Sequence, residues 1–254
     1  MNLKFMASLR SAAIGAMGVL AVAAVPASAQ TTPTPKDVDL LFVIDQSGSM
    51  GNEFTTLANN IEAFFNELTS DVRTGSVAGG LVSYEATPTL QQSLTTNVST
   101  LKTAIDNTPL FGGNEQGLLA LQAGLPGGSL FNQIGWRPNT VKSFVLLTDE
   151  DDDGAENYGA VGTQIANAGY LNNIIVSGGG NEYAPSAVPS GAVFSLSDFT
   201  SDPTNFFPAF AQAKLGEIAI TPPTPGTVIP VPASIPLLLS GVGLLGAFRL
   251  RRKA

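Results

Sequence analysis

Two distant stretches decide most of what this chain can fold into. Residues 37–45 (DVDLLFVID) and 141–150 (VKSFVLLTDE) are each a run of large apolar residues that stops at an acid. A near-continuous run of this kind suits a strand buried on both faces, the condition of strands in a parallel sheet. Around them the apolar spacing changes from strand-like to helical. Residues 54–68 place Leu57, Ile61, Phe64, Phe65 and Leu68 on one helical face. Shorter helical patterns run over 98–106, 115–125, 158–168 and 203–215, and further strands are expected at 75–84, 171–179 and 191–196. Strands alternating with helices predict an α/β fold, a mostly parallel sheet with helices on both faces. In such sheets ligands sit outside the carboxyl ends of the strands. Asp45 and Asp149 both stand at such ends, so they are expected on one edge of the sheet.

The chain of 254 residues contains no Cys and no His. Disulfides, thiolate chemistry, imidazole metal ligands and a Ser-His-Asp triad are therefore excluded. Catalysis near neutral pH most often relies on His, so the composition favours a binding role over an enzymatic one.

The two ends differ from the middle. Residues 1–29 have Lys4 and Arg10, then an apolar run, then an Ala-x-Ala end, the pattern of a secretory signal peptide cleaved after Ala29. After a short linker (30–36) and the expected domain (37–218), residues 219–228 are Pro-rich and read as a linker. Residues 235–248 are apolar, and Arg249, Arg251, Arg252 and Lys253 follow, so a membrane helix with a cytoplasmic basic end is expected. Between residues 30 and 226, six basic residues face all 20 acids, a net charge of −14. An exported domain this acidic repels nucleic acid and favours cations.

The first strand runs into Asp45-Gln46-Ser47-Gly48-Ser49. Alternate residues of a tight loop can turn three oxygens toward one point, and a carboxylate with two hydroxyls suits Mg²⁺, Mn²⁺ or Ca²⁺. The same residues can instead cap the next helix, with Ser49 as N-cap. A second acidic stretch, DEDDDG at 149–154, begins like a calcium loop but has Ala160 where an EF-hand has Glu. A looser calcium site from Asp151, Asp153 and Glu156 is the alternative to a solvated acidic rim.

The Asp-x-Ser-x-Ser loop, a Gly-Gly loop at Gly112-Gly113, and VLLTDE at 145–150 together resemble the von Willebrand factor type A (VWA) domain. The likeness spans about 180 residues and implies a doubly wound Rossmann-like sheet with a metal-ion-dependent adhesion site (MIDAS) at its upper edge. It also implies a protein or glycan partner that can complete the coordination with a carboxylate. Carried over, Asp45, Ser47 and Ser49 match the first loop, and Asp149 matches the third, often through water. The second loop departs from the pattern. Many members have Thr after Gly-Gly, where this chain has Asn114 and then Glu115. Glu115 is the expected donor because a carboxylate binds a hard cation more strongly than an amide does, with Asn114 as the alternative.

The C-terminal end resembles the VPLPA/PEP-CTERM class of bacterial sorting signals, over residues 229–254 with Pro230, Pro232 and Ala233 in the motif. That resemblance implies processing by an exosortase-type membrane enzyme, and a protein held in the membrane or released to the surface. Three functions remain open at this stage. One is a binding module working through the ion, one a matrix protein in which the ion only stiffens the fold, and one a metal-dependent hydrolase.

Overall fold

The computed structural model of the protein describes residues 34–225. The expected signal peptide with Ala29, and the C-terminal signal with Pro230, Pro232 and Ala233, lie outside the described residues. Among the described residues no helix is long and apolar enough to cross a membrane.

In chain order the elements are β1 (Lys36–Asp45), α1 (Gly51–Ser70), β2 (Thr74–Tyr84), β3 (Thr89–Thr95), α2 (Val98–Asn107), α3 (Gly117–Gly124), α4 (Phe131–Ile134), β4 (Val141–Thr148), α5 (Tyr158–Asn167), β5 (Leu171–Val176), β6 (Val193–Ser195), α6 (Leu196–Ser201) and α7 (Pro203–Ile220). They form one six-stranded sheet in the order β3-β2-β1-β4-β5-β6. Every pairing is parallel except β2 with β3. This is the expected mixed α/β, mostly parallel, doubly wound arrangement.

Strand β1 is central and buried on both faces, and its residues alternate between two cores. Val38, Leu40, Phe42 and Ile44 pack with Leu57, Ile61 and Phe64 of α1 and with Phe207, Phe210 and Leu215 of α7. Leu41 and Val43 pack on the other face with Leu118 and Leu121 of α3 and with Val161 and Ile165 of α5. A strand's period of two therefore divides one apolar run between two helical layers. Helix α7 is fixed at two points. The fully buried Lys214 donates to Ser143 Oγ and Glu217 Oε2, both at 2.8 Å. At the far end Lys36 Nζ donates to the carbonyls of Ile218, Ala219 and Thr221, each at 2.8 Å, and satisfies the end of the helix.

The structure departs from the sequence reading in several places. Strand β3 was not expected, because only two residues of TLQQSLT are apolar; it is a half-exposed antiparallel edge strand whose Leu90 and Leu94 pack on the same core as Leu41 and Val43. Helix α3 starts at Gly117, which leaves Asn114 and Glu115 in a loop. Strand β6 ends at Ser195, whose hydroxyl accepts from the Asp198 N–H and starts α6. Helix α7 runs to Ile220, past the expected domain edge at 218, and the stretch expected to be a bare linker carries an antiparallel bridge between Thr224 and Thr140.

Candidate metal centre

The strand order reverses between β1 and β4, so the loops leaving their carboxyl ends diverge and open a crevice. Asp45 ends β1, and Asp149 directly follows β4. The topology thus brings the two acids to the same edge.

In the first loop Asp45 is fully buried. Its Oδ1 accepts from the Ser47 N–H (2.8 Å) and its Oδ2 from the Thr148 hydroxyl (3.0 Å). The Ser47 and Ser49 hydroxyls stand 2.9 Å apart. Gln46 between them is turned away and held by Ser83 Oγ at 2.6 Å. Neither the 3₁₀ turn Gly48–Met50 nor α1 has a side-chain cap bond at its start, so the helix-capping alternative for these serines is not what forms.

The second loop is stitched to the other two. The Phe111 N–H donates to Gln46 O at 2.9 Å. The Glu115 N–H donates to Asp153 Oδ2 at 3.1 Å, and the Asp153 N–H returns a bond to Glu115 O at 2.8 Å. Glu115 is 2% exposed, whereas Asn114 is exposed and its Oδ1 accepts from Gln116 Nε2. In the third loop Ser177 Oγ bonds the Asp149 carbonyl. The Asp149 Oδ1 is buried and has no hydrogen-bond partner.

Burial dominates the electrostatics here. It pushes the Asp45 carboxyl up to about 6, against the bonds from Ser47 and Thr148 that pull it down, and Asp149 adds repulsion. Burial, with repulsion from Asp45 and Glu150, pushes Glu115 up to about 7. Glu53, in the first turn of α1, is raised by burial and by the charges of Asp149 and Asp45, and its Oε2 is a second buried oxygen without a partner. Acids gathered in this way, with orphaned carboxylate oxygens, fit a divalent cation. Among the described residues no three or more acids stand grouped tightly enough to hold an ion alone. An ion at this edge would need the hydroxyls of Ser47 and Ser49 beside the carboxylates, and few direct carboxylates with several hydroxyls or waters is the chemistry of a small hard cation.

The acidic stretch after Asp149 does not gather Asp151, Asp153 and Glu156. Asp151 is exposed, and Asp153 is engaged by the Glu115 N–H. Asp152 turns inward instead, accepting from the Leu118 N–H (2.9 Å), the Tyr183 hydroxyl (3.0 Å) and the Gly154 N–H (3.1 Å). This loop serves as a brace for α3, and the calcium alternative has no ligand set here. The sequence reading missed Thr148, Glu53 and Tyr84. Thr148 was visible as the residue before the acid in VLLTDE. Tyr84, whose buried hydroxyl lies near Asp45, carries no local signal.

A model of the von Willebrand factor type A domain matches residues 39–207. The chain belongs to that family. Solved structures similar to this VWA chain include three of proximal thread matrix protein 1 from the mussel byssus, each 18% identical to it. The TM-scores are 0.56 for crystal form 2, 0.57 for the form with a zinc-occupied MIDAS motif, and 0.54 for the third. Each likeness covers 72% of this chain and 47% of the mussel protein, so the chain spans just under half the length of those structures. At that identity the likeness shows the fold. No match was found among curated proteins.

Proposed function

We propose that this VWA chain is an exported, envelope- or surface-associated binding module that takes a protein or glycan partner through a divalent ion. Asp45, Ser47 and Ser49 would hold the ion, with Glu115 from the second loop and Asp149, through water, from the third. The single observation that carries this reading is the first loop. Its buried carboxylate is fixed by two donors while the paired hydroxyls of Ser47 and Ser49 are free of helix capping. The buried, exposed contrast between Glu115 and Asn114 supports Glu115 as the second-loop donor. The ion, when bound, supplies open coordination positions for an oxygen of the partner. Mg²⁺ is the preferred ion on this donor set, with Mn²⁺ and Ca²⁺ as the other hard cations.

The role is binding rather than catalysis. The chain has no His, and each acid near the crevice is either fixed by hydrogen bonds or packed among other acids. Export rests on the signal-like residues 1–29, and handling by an exosortase-type enzyme and the membrane on residues 229–254. The test is capture of partners from the native cell surface or matrix with the wild-type protein, with and without EDTA, and with the Ser47→Ala/Ser49→Ala variant. The reading expects a partner that is lost both on chelation and in the variant. A partner retained in both would make the ion purely structural, and turnover that depends on the metal would make the chain an enzyme.

A further inference from the structure

The edge that carries Asp45 and Asp149 has acids and no bases. Six basic side chains stand among the described residues, and each is bonded to a group outside the three loops. Lys36 donates to the carbonyls at the end of α7, Arg73 pairs with Asp71, and Lys102 pairs with Asp106. Arg137 pairs with Asp39, Lys142 donates to Thr140, and Lys214 pairs with Glu217. At the edge itself Asp45 repels both Glu53 and Glu115, and Asp149 repels Glu53. The carboxylates of Asp45, Glu53, Glu115 and Asp149 together exceed the charge of one divalent ion, so the edge stays negative when an ion is bound. Glu150 and Asp151 add exposed acids on the third loop, and the Glu85 side chain lies against Gly112 of the second.

The second loop also gives this edge an apolar face. Leu110 and Phe111 are neighbours in sequence and are 40% and 52% exposed. The Phe111 N–H donates to Gln46 O at 2.9 Å, which holds the residue beside the first loop. Leu110 reaches over the start of α1, where a Cβ on Gly51 would fall 3.3 Å from its Cδ1. An exposed aromatic ring beside uncompensated acids suits a guanidinium, which is planar, stacks on aromatic faces and pairs with carboxylates. The surplus negative charge repels a partner's carboxylate. An uncharged glycan can stack on the ring but leaves the exposed acids unpaired.

We propose that this edge docks a basic protein segment, with an arginine over Phe111 and beside Glu85. The inference rests on the reading of this edge as an ion site and narrows the partner of that site. The oxygen that such a segment offers the ion is a neutral one, a backbone carbonyl or a hydroxyl, rather than a carboxylate.

The experiment titrates the full chain, in saturating Mg²⁺, against four fluorescent probes by anisotropy. Three are Gly/Ser peptides that differ only in carrying two Arg, two Lys or two Glu, and the fourth is an uncharged glucan oligomer. The Arg peptide should bind most tightly, the Lys peptide more weakly and the Glu peptide least, and binding of the basic peptides should weaken as salt rises. Phe111→Ala should weaken the Arg peptide about two- to fivefold and narrow its advantage over the Lys peptide. Glu85→Gln should weaken both. Calorimetry on the same samples should show Mg²⁺ affinity unchanged in Phe111→Ala. Preference for the Glu peptide or the glucan, binding of no probe, or equal Arg-peptide affinity in wild type and Phe111→Ala would overturn the proposal. With one Mg²⁺ still bound in calorimetry, the ion site would stand without it. A wild-type chain that binds no Mg²⁺ would overturn both.

Discussion

Asp45 sits where a carboxylate is costly, fully buried and facing other acids, and the fold spends two hydrogen bonds to keep it in place. Thr148 supplies one of them. Thr148→Val should leave Oδ2 without a donor, destabilise the metal-free protein by about 1–3 kcal/mol in urea unfolding, and weaken ion binding. Glu115 gives a sharper test, because its charge burdens the fold and serves only an ion. Burial and the neighbouring Asp45 and Glu150 raise its carboxyl to about 7. Glu115→Gln should therefore stabilise the metal-free protein above pH 7 while lowering its affinity for Mg²⁺. Equal stability of the two forms in EDTA, with equal affinity in calorimetry, would remove Glu115 from the site.

At the scale of elements, the metal centre depends on how closely α3 approaches the strands. Gly117 opens α3, and a Cβ there would fall 2.6 Å from the Tyr183 hydroxyl and 2.9 Å from that of Tyr84. Gly117→Ala should cost about 1–3 kcal/mol through overpacking and lower the thermal midpoint, with the loss smaller when Tyr183→Phe removes one of the crowded oxygens. An unchanged midpoint in the single variant would mean that α3 gives way more easily than the packing implies. The apolar runs of β1 and β4 and the helical face of α1 were legible because each buries a continuous set of side chains with one period. The Asp-x-Ser-x-Ser loop was legible because its donors are local in sequence. Strand β3 was hidden by its polar composition, since only Leu90 and Leu94 of its seven residues reach the core and backbone pairing with β2 supplies the rest. Glu53 was hidden because nothing in its helical turn shows that Asp149 lies across from it. The inward turn of Asp152 was hidden because alternate acids of one run look alike until Tyr183 and Leu118 select one of them.

Across the whole molecule the acids set the pH response. Carboxyls whose folded pKa is raised, Asp45, Glu53, Glu115 and Asp152, contribute stability that is fully present below the ordinary carboxyl range and is lost as pH rises through their folded values. For Asp45 and Glu115 that loss falls between about 4 and about 7. Asp71, lowered to about 2 by its bonds with Arg73, acts in the opposite sense and only at the acid end. Thermal unfolding in EDTA should therefore show stability declining from pH 4.5 to pH 7.5. Saturating Mg²⁺ should reverse that slope, because the ion binds the deprotonated acids. A metal-free profile that rises over this range would contradict the assignment of these groups as a repelling cluster. The account turns on one ion held at the mouth of β1 and β4. The measurement that tests it most directly is calorimetric titration of Mg²⁺ and Mn²⁺ into the wild-type protein and Asp45→Ala at pH 7.5. Saturable binding of a single ion that is lost in the variant is the predicted result, and unchanged affinity in Asp45→Ala would contradict it.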